Sequence, residues 1–93
     1  MAITRVPGND KGDILIYALS TCGWCRKTKT MLEELGIEYC FVDVDQTEGE
    51  EREEIAKEMR TWNPAMSFPT VVINKDKCIV GFKEDRIKEA LGL

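Results

Sequence analysis

The sequence predicts one α/β domain in which strands and helices follow the order β-α-β-α-β-β-α, with four strands in a mixed sheet. Three observations lead to this fold class. Short unbroken apolar runs are typical of buried strands. Segments with apolar residues at helical spacing separate the first three of these runs. Two further runs, about four residues apart, indicate a hairpin, and a 93-residue chain with 43% hydrophobic residues suits one small core.

The first twelve residues differ in character from the rest of the chain. Residues 1–12 contain Pro7, Gly8 and Gly12 among polar side chains, a composition typical of a flexible segment. We therefore expect a flexible N-terminal lead-in over residues 1–12, followed by a single domain over residues 13–93.

The first strand and helix of that domain follow one another directly. Residues 14–19, ILIYAL, form an unbroken apolar run, the pattern of a central strand covered on both faces. The next segment has apolar side chains at helical spacing and stops at Gly36, a residue type that commonly follows a helix end. The sequence therefore predicts a helix from about Cys25 to Leu35.

The later segments continue the alternation. Residues 39–44, YCFVDV, are β-branched and aromatic enough for a second strand. Residues 49–60, GEEREEIAKEMR, predict a solvated helix whose acidic residues crowd the first turns, where the helix dipole favours them. The runs TVVI, residues 70–73, and CIVGF, residues 78–82, predict the hairpin, and a short closing helix follows.

Composition excludes several classes of function. The formal net charge is −4 and no long basic tract occurs, so a nucleic-acid partner is not indicated. No apolar run approaches a membrane span, and the N-terminus is too polar for a signal peptide, so we expect a soluble, cytoplasmic protein. The chain has no histidine, which excludes Ser-His and Cys-His catalysis and histidine-dependent zinc sites.

The stretch STCGWCRKTK, residues 20–29, contains the strongest functional signal. Cys22 falls where a strand gives way to a helix, and Cys25 lies one turn further on, within the reach of a disulfide. The unpaired N–H groups and positive dipole at a helix start favour a thiolate on Cys22. A redox-active dithiol at this position can open and close with little backbone movement.

Two alternatives to a redox dithiol fit the residues less well. A thiolate zinc site needs four ligands, but Cys40 and Cys78 are single residues within predicted strands and suit the role of small buried hydrophobes. A structural disulfide between Cys22 and Cys25 closes a very small loop and removes little entropy from the unfolded chain. The redox dithiol is favoured over both.

The residues around the two cysteines have alternative roles. Arg26, Lys27 and Lys29 lie in the first turns of the helix, where the dipole disfavours cations. They tune the electrostatics of the dithiol, or they are exposed solubilising charges. Trp24 shields the dithiol and contacts partners, or it folds back onto the core.

Two motifs together resemble a known family. A strand leading into TCGWC at a helix start, with SFPT (residues 67–70) before a hairpin, resembles the glutaredoxin branch of the thioredoxin-like fold, a three-layer architecture. The resemblance covers residues 13–93. It implies that Cys22 is the nucleophile and Cys25 the resolving cysteine of a thiol-disulfide oxidoreductase that reduces protein disulfides.

The resemblance also implies a substrate-binding surface. Pro69 matches the family's cis-proline, beside which the backbone of Phe68 pairs with an extended substrate segment. Gly81 and Asp85 match the family's glutathione-binding turn, but Phe82 replaces the second glycine of that turn.

Two departures from the common glutaredoxin pattern bear on the partners. Phe82, together with Leu19 at a position where many glutaredoxins have lysine, is more similar to the small redoxins that donate electrons to ribonucleotide reductase. We therefore expect either glutathione or a thioredoxin-reductase system as reductant, no permanently bound cofactor, and a monomer.

Two rival functions remain open. In the first, Cys22 binds an iron-sulfur cluster or another metal, because some family members with a small residue such as Gly23 between the cysteines bridge a cluster between two subunits. In the second, the chain is a binding module that has kept the fold without catalysis.

Overall fold

A five-stranded mixed sheet forms the centre of the computed structural model, which describes residues 3–93. The strand order is β1-β3-β2-β4-β5. In chain order the elements are β1 (Thr4–Val6), β2 (Ile14–Ala18), α1 (Gly23–Glu34), β3 (Tyr39–Asp43), a 3₁₀ turn (Val44–Gln46), α2 (Gly49–Trp62), β4 (Thr70–Ile73), β5 (Lys77–Val80) and α3 (Glu84–Ala90). The α/β class and the order from β2 onward are confirmed.

The prediction of four strands was wrong by one, because β1 lies inside the segment predicted to be a flexible lead-in. Thr4–Val6 pairs antiparallel with β3, and Arg5 forms an ion pair with Glu38. The chain is held again at Asn9, whose N–H donates to the Gly36 carbonyl at 2.7 Å. A three-residue edge strand gains its order from these hydrogen bonds and has no apolar pattern of its own. The lead-in's first two residues, 1 and 2, lie outside the described part of the chain.

The central strand β2 is covered on both faces, as predicted. It pairs in parallel with β3 and antiparallel with β4. Because side chains alternate along a strand, Ile14 and Ile16 point to one face and Tyr17 to the other. The first face packs against α1 and α3 and the second against α2, so the domain has three layers.

Helix α1 begins close to the carboxyl end of the central strand. The carboxyl end of β2 leads directly into α1, which begins at Gly23, two residues earlier than predicted, because Cys22 acts as its N-cap. Gly36 follows the helix with φ of 69°, a left-handed conformation that glycine adopts without strain. None of the helices within residues 3–93 is long and apolar enough to cross a membrane.

Candidate functional site

Cys22 caps the first turn of α1 with its sulfur. The Cys25 N–H donates a hydrogen bond to Cys22 Sγ with an N–S distance of 3.1 Å. The backbone of Cys22 is extended, with φ of −86° and ψ of 113°, and its carbonyl accepts from the Arg26 N–H at 3.1 Å. A sulfur that receives a main-chain N–H at a positive helix end is electrostatically suited to bear a negative charge.

Cys25 is the inner member of the pair. All four cysteines are free thiols in this structure, but Cys22 is partly exposed whereas Cys25 has 0% exposure. Burial raises the pKa of the Cys25 thiol to about 12, and its hydrogen bond with Cys22 adds to this rise. The Leu19 backbone and the charge of Lys29 act in the opposite direction. The two thiols therefore differ in access, and ionisation of the inner one is disfavoured.

This difference predicts selective alkylation at pH 8. A thiol whose pKa is about 12 is ionised in roughly one molecule in ten thousand at that pH, and the thiolate is the reactive form. Iodoacetamide should modify Cys22 in the folded, reduced protein and leave Cys25 free, as measured by peptide mass mapping. Guanidinium-unfolded protein is the control and should lose the selectivity. Equal rates for both thiols in the folded protein would contradict the burial of Cys25.

Asp45 holds the loop that leads to Cys22. Its carboxylate accepts hydrogen bonds from the Ser20 N–H, at 2.9 Å, and from the Ser20 hydroxyl. These bonds lower the pKa of the Asp45 carboxyl. Sequence reasoning missed this residue. Because β2 and β3 are parallel neighbours, their carboxyl ends share one edge of the sheet, and that placement was the available signal.

An aromatic pair flanks the dithiol. Trp24 and Phe82 stack with ring centroids 5.9 Å apart and an interplanar angle of 26°. Trp24 stays 58% exposed, so it does not fold back into the core. Lys27 Nζ lies 4.6 Å from the centre of the Trp24 ring, within range of a cation–π interaction. The stack joins the start of α1 to the loop between β5 and α3.

The predicted cis-proline lies in the loop before β4. The Phe68–Pro69 peptide bond is cis, as the resemblance implied. The Pro69 carbonyl accepts from the Gly81 N–H at 2.8 Å, and Gly81 has φ of 88°. Within residues 3–93 the N–H and C=O of Phe68 hydrogen-bond to no other backbone group. This short main-chain segment is therefore free to pair with another chain.

A surface groove runs beside the dithiol between α1 and the start of α3. Its volume is about 450 Å³, and Gly23, Arg26, Lys27 and Phe82 contribute to its walls. Arg26 is exposed and forms no ion pair with any other residue of the described range 3–93. Asp85 is exposed in the first turn of α3. The structure thus places all the predicted site residues near one end of the sheet.

Cys40 and Cys78 are separate from this site. They lie in one row across the sheet, with Leu15 and Val72 between them. Three strand spacings of about 4.8 Å separate their backbones by roughly 14 Å, whereas a disulfide needs Cα atoms at most about 6.8 Å apart. Leu15 and Val72 belong to the α2 side of the core, whereas Cys25 belongs to the α1 side. Within residues 3–93 no group of three metal-ligating side chains converges.

The dithiol, the cis-proline loop and the three-layer fold occur together in a known family model. The model described as Glutaredoxin matches residues 14–79. The chain belongs to the glutaredoxin family. The expectation drawn from the TCGWC and SFPT motifs is therefore confirmed, together with the thioredoxin-like fold.

Solved glutaredoxin structures are similar to this chain over most of its length. The glutaredoxin from Methanosarcina mazei Go1 is 49% identical, with a TM-score of 0.91, and the match covers 100% of this chain and 90% of that one. Methanosarcina acetivorans methanoredoxin is 50% identical with a TM-score of 0.88, over 92% of this chain and 90% of that one. A glutaredoxin-like 8.6 kDa protein in the rubredoxin operon of Clostridium pasteurianum is 37% identical, over 84% of this chain and 96% of that protein.

A small redoxin is also a structural neighbour. NrdH-redoxin from Escherichia coli, a glutaredoxin-like protein with a thioredoxin-like activity profile, is 27% identical with a TM-score of 0.68. The match covers 83% of this chain and 92% of that one. The glutaredoxin fold together with the adjacent Cys22 and Cys25 supports thiol-disulfide oxidoreductase chemistry through a redox-active dithiol.

Proposed function

We propose that this protein reduces disulfide bonds of protein substrates, with Cys22 as nucleophile and Cys25 as resolving thiol. The observation that carries this proposal is the asymmetry of the pair. Cys22 Sγ is partly exposed and accepts the Cys25 N–H at the helix start, whereas the Cys25 thiol is fully buried. An incoming disulfide can reach the first sulfur but not the second.

The reaction proceeds by two exchanges. The Cys22 thiolate attacks one sulfur of the substrate disulfide, a mixed disulfide forms, and the other substrate sulfur leaves as a thiolate that takes up a proton. Cys25 then gives up its proton and attacks Cys22 Sγ. The Cys22–Cys25 disulfide forms, and the second substrate sulfur leaves with the electron pair of the broken bond. Two electrons have passed from the dithiol to the substrate.

Substrate docking is assigned to the surface around Cys22. The unpaired backbone of Phe68 offers one N–H and one C=O to an extended substrate segment, a strand-addition mode of binding. The exposed Trp24 and its partner Phe82 offer apolar area beside the dithiol. We assign to Arg26 and Lys27 the role of favouring anionic sulfur and acidic groups at the helix start.

Phe82 supports an inference about the electron source. Its ring stacks on Trp24 beside the start of α3, where a second glycine in the turn would leave the backbone open to glutathione. Leu19 supplies no cation for a glutathione carboxylate. We therefore infer a thioredoxin-reductase system as the reductant and ribonucleotide reductase as an acceptor, as in the small redoxins that the sequence resembles.

The test supplies oxidised protein with glutathione in one sample and with NADPH plus thioredoxin reductase in another. Tryptophan fluorescence and a thiol count follow the reduction. Rapid reduction by the reductase alone is expected. Rapid reduction by glutathione would reject the assigned electron source while leaving the dithiol chemistry intact. Formation of deoxyribonucleotide by ribonucleotide reductase, with this protein as the sole dithiol, then tests the acceptor.

Phe82→Gly should increase the rate of reduction by glutathione. Removal of the ring opens the turn beside Gly81, so we expect a gain of about ten-fold, equivalent to about 1.4 kcal/mol of transition-state binding. Stopped-flow fluorescence of the oxidised variant measures it. Val80→Gly is the matched control, because Val80 is an exposed apolar residue of the adjoining strand. Equal gains in both variants would mean that loosening of the hairpin, and not the ring itself, controls access.

A further inference from the structure

A partly buried ion pair lies close to the dithiol and has no role in the mechanism above. Lys29 Nζ and Asp43 Oδ1 are 3.2 Å apart, and the side chains are 20% and 22% exposed. Lys29 Nζ also lies 3.8 Å from the centre of the Phe41 ring. Partial burial of two charges has a desolvation cost that their attraction often fails to recover. A functional reason for the pair is therefore worth seeking.

Lys29 lies one turn after Cys25 on α1. Residues at i and i+4 of a helix are neighbours, so Lys29 and Cys25 share one face of α1, and the charge of Lys29 favours the thiolate form of Cys25. Cys22, the N-cap of the same helix, instead raises the pKa of Cys25. These two are the ionisable side chains that act on Cys25.

The other elements around Cys25 supply no second cation. From β3, Asp43 faces Lys29 itself. From the turn after β3, Asp45 is bound to Ser20. The strands and α3 contribute apolar side chains to the core around Cys25, including Ile16, Ile79 and Ile87. The chain has no histidine to act as a base. Among the described residues, Lys29 is thus the cation whose charge favours the Cys25 thiolate.

We propose that Lys29, held in place by Asp43, is a positioning residue for the second exchange step, in which its charge stabilises the Cys25 thiolate that attacks the mixed disulfide. The inference rests on the proposed roles of Cys22 and Cys25. In that step the Cys25–Cys22 sulfur bond forms, the bond from Cys22 to the substrate sulfur breaks, and the leaving thiolate takes the electron pair. The Cys25 proton passes to solvent or to the leaving thiolate.

A disulfide reagent with coloured thiolate products separates the two steps. In a Cys40→Ser/Cys78→Ser background, dithiobis-nitrobenzoate should release one thiolate when Cys22 attacks and a second when Cys25 resolves the adduct, and stopped-flow absorbance resolves the two phases. If the background protein releases no second thiolate, the roles proposed for Cys22 and Cys25 fail. The Lys29 proposal is judged on a protein that shows both phases.

Lys29→Met should slow the second phase by about three-fold to ten-fold. Loss of a nearby opposite charge raises the pKa of a thiol by one unit or more, which lowers the thiolate fraction about ten-fold per unit. A thiolate of higher pKa is also a stronger nucleophile, which offsets this loss of rate by about three-fold per pKa unit. The rate–pH profile of the second phase should therefore move to higher pH, with little change in the first phase. Lys29→Arg should restore the rate.

Asp43→Asn distinguishes electrostatics from structure. It removes the anion that offsets Lys29, so the second-phase profile should move to lower pH, opposite to the shift in Lys29→Met. If Lys29→Met is slow only because it leaves Asp43 unpaired, Lys29→Met/Asp43→Asn should regain the background rate, whereas loss of the cation itself should keep the double variant slow. Lys57→Met, on α2, is the matched control and should leave both phases unchanged. Slowing by Asp43→Asn and Lys29→Met in the same direction, or an unshifted profile in Lys29→Met, would overturn the proposal.

Discussion

Cys22→Ser should reduce protein-disulfide reductase activity to the uncatalysed rate. A serine hydroxyl cannot form the mixed disulfide, and within residues 3–93 no other thiol is placed at a helix start with a main-chain N–H on its sulfur. With no histidine in the chain, the usual imidazole base for a serine hydroxyl is also missing. Reduction of a fluorescent disulfide peptide, with the reductase system in excess, measures the loss.

Cys40→Ser and Cys78→Ser are matched controls for this result. Both residues are partly exposed thiols, but they lie in a row on the α2 side of the sheet, away from the dithiol. Each control should retain the wild-type rate. Full activity of Cys22→Ser would reject the proposed function, and loss of activity in either control would mean that its thiol takes part in exchange.

The elements with strong local patterns could be predicted from the sequence. The unbroken apolar run of β2 indicates a strand that is buried on both faces. The helical spacing of apolar residues before Gly36 indicates a helix that is buried on one face. Among the strands of residues 3–93, β1 escaped prediction. Its three residues include a single partly buried one, Val6, and its order comes from pairing with β3, which no local pattern records.

Some residues of the site could be recognised from local sequence, whereas others are brought together only by the fold. Cys22 and Cys25 could be recognised because their spacing and helix position are local properties of the chain. The stack of Trp24 on Phe82 joins residues far apart in sequence, and only the approach of α1 to the loop before α3 creates it. Asp45 was also missed, because its bond to Ser20 joins the turns after β2 and β3, which lie side by side only through the pairing of these two strands.

The Lys29–Asp43 pair shows that sequence reasoning does not reveal which charged side chains become partly buried. Sequence reasoning singled out Lys29 as one cation among several near a helix start, where solvation and function were equally plausible roles. Its partner on β3 and the ring of Phe41 beneath it distinguish it from Lys27, which stays on the surface over Trp24. Partial burial of a charge is a tertiary property, and composition does not report it.

Cys25→Ser should trap the substrate on Cys22. The nucleophile stays exposed at the helix start, so the first exchange proceeds, but the hydroxyl at position 25 cannot attack Cys22 Sγ. The covalent complex should therefore accumulate to about one substrate per protein, because the step that releases it is missing. Intact-protein mass spectrometry under non-reducing conditions measures it, and dithiothreitol should release the substrate.

Cys22→Ser/Cys25→Ser should trap nothing, which separates capture by Cys22 from capture by Cys40 or Cys78. The site of capture also decides the order of the two steps. A complex attached through Cys22 agrees with an outer nucleophile and an inner resolving thiol. Trapping by Cys22→Ser, with capture through Cys25, would reverse the assignment. It would require the buried thiol to become exposed during the reaction, because its sulfur has no access to solvent in this structure.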